Sequence, residues 1–117
     1  MCGRFTASFE FREIKVRWNL QGDIPLFTPR YNIAPSQDVL VIVHNEDRSE
    51  IKPMRWGLVP SWAKDQSIGN RMINARAETL SDKPSFKRLV DKRRCLIPAD
   101  GFYAVRCRSG VRLAQVY

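Results

Sequence analysis

The sequence predicts an α+β domain built on β-hairpins, with short helices at its flanks. Three observations carry that reading. A β-branched run at 39–43 is followed by a polar turn and a second extended stretch at 50–57, which makes an antiparallel hairpin. Apolar residues recur at helical spacing in two places, Phe11, Ile14 and Trp18 early and Phe86, Leu89 and Val90 late. Two further apolar stretches, 95–99 and 102–105, flank an Asp100-Gly101 turn signal. At 117 residues the chain is one small domain at most.

In chain order, residues 3–6 lead the N-terminus into the core, with Phe5 as the apolar anchor. Ser8 is an N-cap, and a helix over 8–19 buries Trp18 in the core. Gly22, Pro25 and Pro29 mark 21–30 as loop. Pro35 holds Ala34 extended, because its ring clashes with a helical residue before it. Residues 39–43 form a buried strand, and 44–49 a polar hairpin loop. His44 is the one histidine and sits at the loop edge. With no second histidine and no C-x-x-C pair, no metal site is expected.

Trp56 lies in the returning strand and is read as core. Trp62 follows Pro60 in a loop and can stack an unpaired base, the alternative being core packing. Residues 74–79 alternate, so a strand there places Asn74, Arg76 and Glu78 on one face. Such a face is either a hydrogen-bonded network or a site. Pro84 opens a helix reaching about residue 93, and its Lys87, Arg88, Lys92, Arg93 and Arg94 form either a solvated face or a phosphate-contacting one. Residues 95–99 read as a buried strand with Cys95 as a small core residue. The basic stretch 104–117 shows no periodicity.

Hydrophobic content of 44% excludes a disordered chain. No apolar run approaches the roughly 20 residues of a membrane span, and no signal-peptide core is visible, so a cytoplasmic or nucleoid-associated location is expected. Cys2, Cys95 and Cys107 are odd in number and widely spaced, which suits reduced thiols rather than a disulfide framework. Twenty Lys and Arg against twelve Asp and Glu give a net charge of +8. That balance suits a polyanion, nucleic acid foremost, with a generically basic surface as the alternative.

The N-terminus adds a specific chemistry. Removal of Met1 leaves Cys2 with an amine and a thiol on adjacent carbons. An aldehyde condenses with the amine to an imine, and the thiolate closes a thiazolidine ring on it. Reference pKa values of about 7.7–8.0 for the amine and about 8.5 for the thiol leave both nearly ready at neutral pH. On its own, Cys2 reads first as a small residue beside a start codon, because a lone Cys is weak evidence of a nucleophile.

Five fragments occur together in order: Met1-Cys2-Gly3-Arg4-Phe5, Tyr31-Asn32-Ile33-Ala34-Pro35, Trp56-Gly57-Leu58-Val59-Pro60-Ser61-Trp62, Asn74-Ala75-Arg76-Ala77-Glu78-Thr79, and Cys95-Leu96-Ile97-Pro98-Ala99-Asp100-Gly101-Phe102-Tyr103. Over 1–103 the chain thereby resembles the SRAP family of SOS response-associated peptidases, or abasic-site-processing proteins. The resemblance implies a mainly antiparallel β sheet or barrel with flanking short helices, and a positively charged channel for single-stranded DNA carrying abasic sites. It implies no cofactor, metal or membrane partner. It implies Cys2 as the nucleophile that cross-links to the lesion after self-removal of Met1. Asn74 would orient the ring-opened sugar, Arg4 and Arg76 would contact phosphates, and Trp62 would support an adjacent base.

Two departures bear on activity. Ala104 stands where the family carries a Glu that handles protons, and the family's His lies in a second half that this chain does not contain. Family members run to roughly twice this length. The resemblance therefore implies the N-terminal half of the domain over 1–103 with a divergent basic tail at 104–117, as from a truncated or frameshifted gene. That half would be an enzyme, an impaired single-stranded-DNA-binding module or an inactive fragment, with strand edges open to self-association.

Overall fold

The computed structural model describes residues 3–108 and 111–116. The elements are β1 (Arg4–Ala7), α1 (Phe11–Arg17), β2 (Arg30–Ile33), β3 (Asp38–Asn45), β4 (Arg48–Arg55), α2 (Pro84–Lys87), β5 (Cys95–Leu96), β6 (Gly101–Arg108) and β7 (Val111–Val116). They form two open antiparallel sheets rather than a closed barrel. One has the order β2-β1-β6-β7 and the other β4-β3-β5. The α+β class stands.

Strand β3 is the hub, and its sequence says why. Val39, Val41 and Val43 face the first sheet, packing with Phe5 and Ala7 of β1 and Ile33 of β2. Ile42 points the other way, into a second cluster with Phe11, Leu20 and Ile51. A continuous β-branched run fits a strand covered on both faces. The second face is closed by α1 and the 21–30 loop, where Phe11 meets Phe27 edge-on at 4.4 Å and Phe9 at 5.1 Å.

The hairpin is longer than its sequence signal. β3 runs through His44 and Asn45, and the turn is Glu46-Asp47 alone, with Asn45 opposite Arg48 and Glu46 at φ 51°. The expected loop at 44–49 is thus mostly strand. Pro53 is tolerated because β4 is an edge strand.

Helix α1 is shorter than the expected 8–19. Ser8 does not cap it; its backbone N–H donates to Asp100 Oδ2 at 2.9 Å, and Glu10 occupies the N-cap. The helix stops because Asn19 takes a left-handed φ of 48°. Leu20 N–H then returns to Lys15 O at 3.0 Å and Asn19 N–H to Val16 O at 3.3 Å, the paired bonds of a Schellman cap. This geometry rotates Leu20 into the core and leaves Trp18 47% exposed. The expectation that Trp18 packs in the core is therefore wrong.

Strand β5 also departs from expectation. It is two residues long and pairs only with Ile42 and Val43 of β3. Among the described residues nothing covers its faces, so Cys95, Leu96 and Ile97 are exposed instead of forming a buried strand. The stretch after Tyr103 continues β6 and returns as β7, with Tyr103 opposite Val116 and Arg108 opposite Val111. No helix of the described residues is long and apolar enough to cross a membrane.

Candidate functional site

The segment carrying Asn74 is held by Trp56 and its neighbours. The Trp56 indole N–H donates to Ile73 O at 3.1 Å, and Leu58 N–H donates to Met72 O at 3.0 Å. Between them Gly57, at φ 129°, lies so close to Gly69 that a Cβ there would sit 2.4 Å from the Gly69 carbonyl oxygen. Trp56 is in turn fixed edge-on against Phe5 at 5.3 Å. A chain of contacts thus runs from β1 through Trp56 to the residue before Asn74.

Asn74 borders two grooves. The first, about 350 Å³, is lined by Phe5, Trp56, Ile73, Ile97, Ala99 and Phe102, with Asn74 the one amide side chain among apolar ones. The second, about 320 Å³, places Asn74 beside Arg76, Lys83 and Phe86 and has no acidic residue in its lining. An apolar wall that meets an amide and then two cations suits a sugar held next to a phosphate.

The local backbone differs from the expected strand at 74–79. Asn74, Ala75 and Arg76 belong to no strand, Arg76 is extended, and Ala77–Thr79 form a 3₁₀ turn. Asn74, Ala75 and Arg76 line one groove together, so strand alternation does not apply, and Glu78 lies outside that lining. The polar–small alternation of the sequence mimicked a strand, while the segment joins no sheet and is anchored just before Asn74 through Ile73 O.

The other expected site residues are dispersed. Trp62 is 63% exposed and lines a separate groove of about 650 Å³ with Pro84, Lys87 and Arg88. Arg4 is exposed on β1, its Nη1 donating to Asn32 Oδ1 at 2.9 Å, and it lines neither groove of Asn74. Cys2 lies outside the described residues. Lys83 and Phe86 were missed as groove residues. Lys83 carries no sequence signal beyond its charge, and Phe86 reads as an ordinary helix stripe.

Asp100, just before β6, ties that strand to the end of β1. Its carboxylate accepts from Thr6 Oγ1 at 2.6 Å and from Ser8, through both the backbone N–H and the hydroxyl. Burial pushes this carboxyl up, but the donated bonds from Ser8 and Thr6 outweigh it and hold the group below its usual range. Opposite, Tyr103 crosses β1 to donate its hydroxyl to Tyr31 O at 2.7 Å. Among the described residues no group of three His, Cys, Asp or Glu is placed to hold a metal ion.

Fold and grooves together define a two-sheet α+β domain with an amide-bearing apolar groove flanked by basic ones. The sequence model of the SOS response associated peptidase (SRAP) family matches residues 1–112, and the chain belongs to that family. It is 50% identical over 105 residues to the abasic site processing protein YoqW of Bacillus subtilis, covering 88% of this chain and 47% of that protein. It is 39% identical over 103 residues to the abasic site processing protein HMCES of Pongo abelii, covering 78% of this chain and 29% of that protein. The chain thus spans about half the length, or less, of these curated relatives. A crystal structure of a protein from Bacteroides thetaiotaomicron superposes with a TM-score of 0.80 over 97% of this chain and 52% of that one. At 22% identity that likeness speaks for the fold alone.

Proposed function

We propose that this chain processes abasic sites in single-stranded DNA by forming a thiazolidine cross-link through Cys2. The observation that carries the reading is the groove in which Asn74 meets Phe5. Phe5 is three residues from Cys2, a fully extended reach of about 11 Å. The relatives named for abasic site processing support the same reading.

The chemistry follows from the groups. An abasic deoxyribose opens to an aldehyde. The Cys2 amine adds to the aldehyde carbon and water leaves, giving an imine. The thiolate then adds to the imine carbon, and the nitrogen takes a proton as the ring closes. Asn74 orients the opened sugar by hydrogen bonding, Arg76 and Arg4 hold flanking phosphates, and Trp62 supports a neighbouring base. In-place orientation of this kind is worth about 10²-fold in rate for a displacement of about 1 Å.

Ala104 favours a second reading, a strand-binding module with slow or no chemistry. A positioned proton-transfer group contributes about 10²–10⁴-fold. Its absence slows ring closure without removing the aminothiol. A denaturing-gel time course with an abasic oligonucleotide separates the readings. Wild type forms a heat-stable adduct, Asn74→Ala forms it about 10²-fold more slowly, and Cys2→Ala forms none. Equal retention of the oligonucleotide by wild type and Cys2→Ala, with no adduct in either, would leave the binding module.

A further inference from the structure

A basic groove of about 300 Å³ opens on the three-stranded sheet, where Val43 pairs with Cys95, and is lined in part by His44, Lys52, Lys92, Arg93 and Arg94. It shares no residue with the grooves of Asn74 or Trp62. Its cations differ in state. Lys52 is paired with Glu50 at 2.6 Å. Lys92, Arg93 and Arg94 are exposed and have no carboxylate partner among the described residues. No acidic residue lines the groove; Asp91 precedes the cluster but stays outside it.

The three cations continue a path. Lys87 and Arg88 line the Trp62 groove, and the chain from there to Lys92 is folded into turns by Lys92 N–H and Arg93 N–H bonding to Leu89 O at 3.3 and 2.8 Å. Five cations therefore lie along one ordered segment that joins the two grooves, with Asp91 between them and Asp82 at the far side of the Trp62 groove. Two of the terminal cations are arginines, whose planar forks match phosphate oxygens. A lone anion would fill one groove. Charge carried between two grooves fits a chain of phosphates.

We propose that the Lys92-Arg93-Arg94 groove is a second DNA contact, which holds the phosphate backbone of the strand flanking the lesion after it leaves the Trp62 groove. This rests on the reading that single-stranded DNA is the partner. The groove positions the strand and takes no part in the chemistry at Cys2.

The test is the salt dependence of binding of the full chain to a long undamaged single strand, read by fluorescence anisotropy. Each phosphate contact on a single strand contributes about 0.7 to the slope of log K against log salt. The combined substitution Lys92→Gln, Arg93→Gln and Arg94→Gln is expected to lower the slope by about 2 and weaken binding about tenfold or more at low salt. Arg93→Lys with Arg94→Lys keeps the slope. Adduct formation with a short abasic oligonucleotide that ends at the Trp62 groove is unchanged by either variant. Because all three side chains are exposed, both variants should melt like wild type, which circular dichroism checks. An unchanged slope in the triple variant, with wild type binding normally, overturns the groove and leaves the proposed function standing. Failure of wild type to bind any strand overturns both. Binding of labelled poly-glutamate to wild type but not to the triple variant, with the DNA slope unchanged, assigns the groove to an acidic protein instead and also overturns the proposal.

Discussion

Gly57 shows how much of the site depends on the absence of one carbon. Its φ of 129° lies where L side chains are rare, and an added Cβ would meet backbone rather than a side-chain end that can move aside. Gly57→Ala is expected to lower stability by about 2 kcal/mol or more and to displace the segment before Asn74. Thermal unfolding together with the adduct rate checks both effects. Asp100 sets a pH dependence. Its folded carboxyl lies below its unfolded value, so its contribution is complete above the unfolded pKa and is lost as pH falls through the folded one. Wild type should therefore lose more stability on acidification than Asp100→Asn, measured as melting temperature against pH. At neutral pH the substitution costs about 1 kcal/mol, the typical net of hydrogen bonds open to solvent. The residue types at these positions were legible in the sequence as motif members. Their reasons were not, because a close backbone approach at Gly69 and a bond from Ser8 to Asp100 are long-range facts. Trp18 failed for a local reason: helical spacing marked it as core, while a left-handed Asn19 turned the chain and gave that place to Leu20.

At the scale of elements, β3 is the structural centre. Ile33 is 2% exposed where β2 and β3 meet across the first core cluster. Ile33→Ala is expected to cost about 2–5 kcal/mol, through lost transfer energy and the cavity left behind. For a small domain that is a large share of total stability, and a denaturant titration reads it directly. Trp62→Ala should behave in the opposite way. Its ring is largely exposed, so stability shifts by less than about 0.5 kcal/mol. Loss of base stacking should weaken single-strand binding by about 1–3 kcal/mol. The β3–β4 hairpin was readable because a β-branched run bounded by polar residues has few other solutions. The piece at 74–79 was misread because polar–small alternation also arises in a segment that joins no strand and is tied down just before it, at Ile73 O and Met72 O. β5 was misread because apolar composition does not say whether anything covers a strand.

Over the whole molecule, the two sheets share the first core cluster and α1 closes the second, while basic side chains gather around grooves on the outside. The net charge of +8 was visible in composition, but its sorting into separate grooves required the fold. Asn74 and Arg76 belong to one groove, together with Ala75 and not through the strand alternation that their spacing suggested. Arg4 and Trp62 lie elsewhere, so a bound strand would have to cross several surfaces to meet them all. The central claim concerns Cys2, and an intact-mass measurement tests it most directly. The chain is incubated with a single-stranded oligonucleotide carrying one abasic site, then denatured and weighed. The account predicts a species of protein lacking Met1 plus oligonucleotide, less one water, and its absence in Cys2→Ala. Retention of Met1 with no adduct, on a protein that unfolds cooperatively, would contradict it.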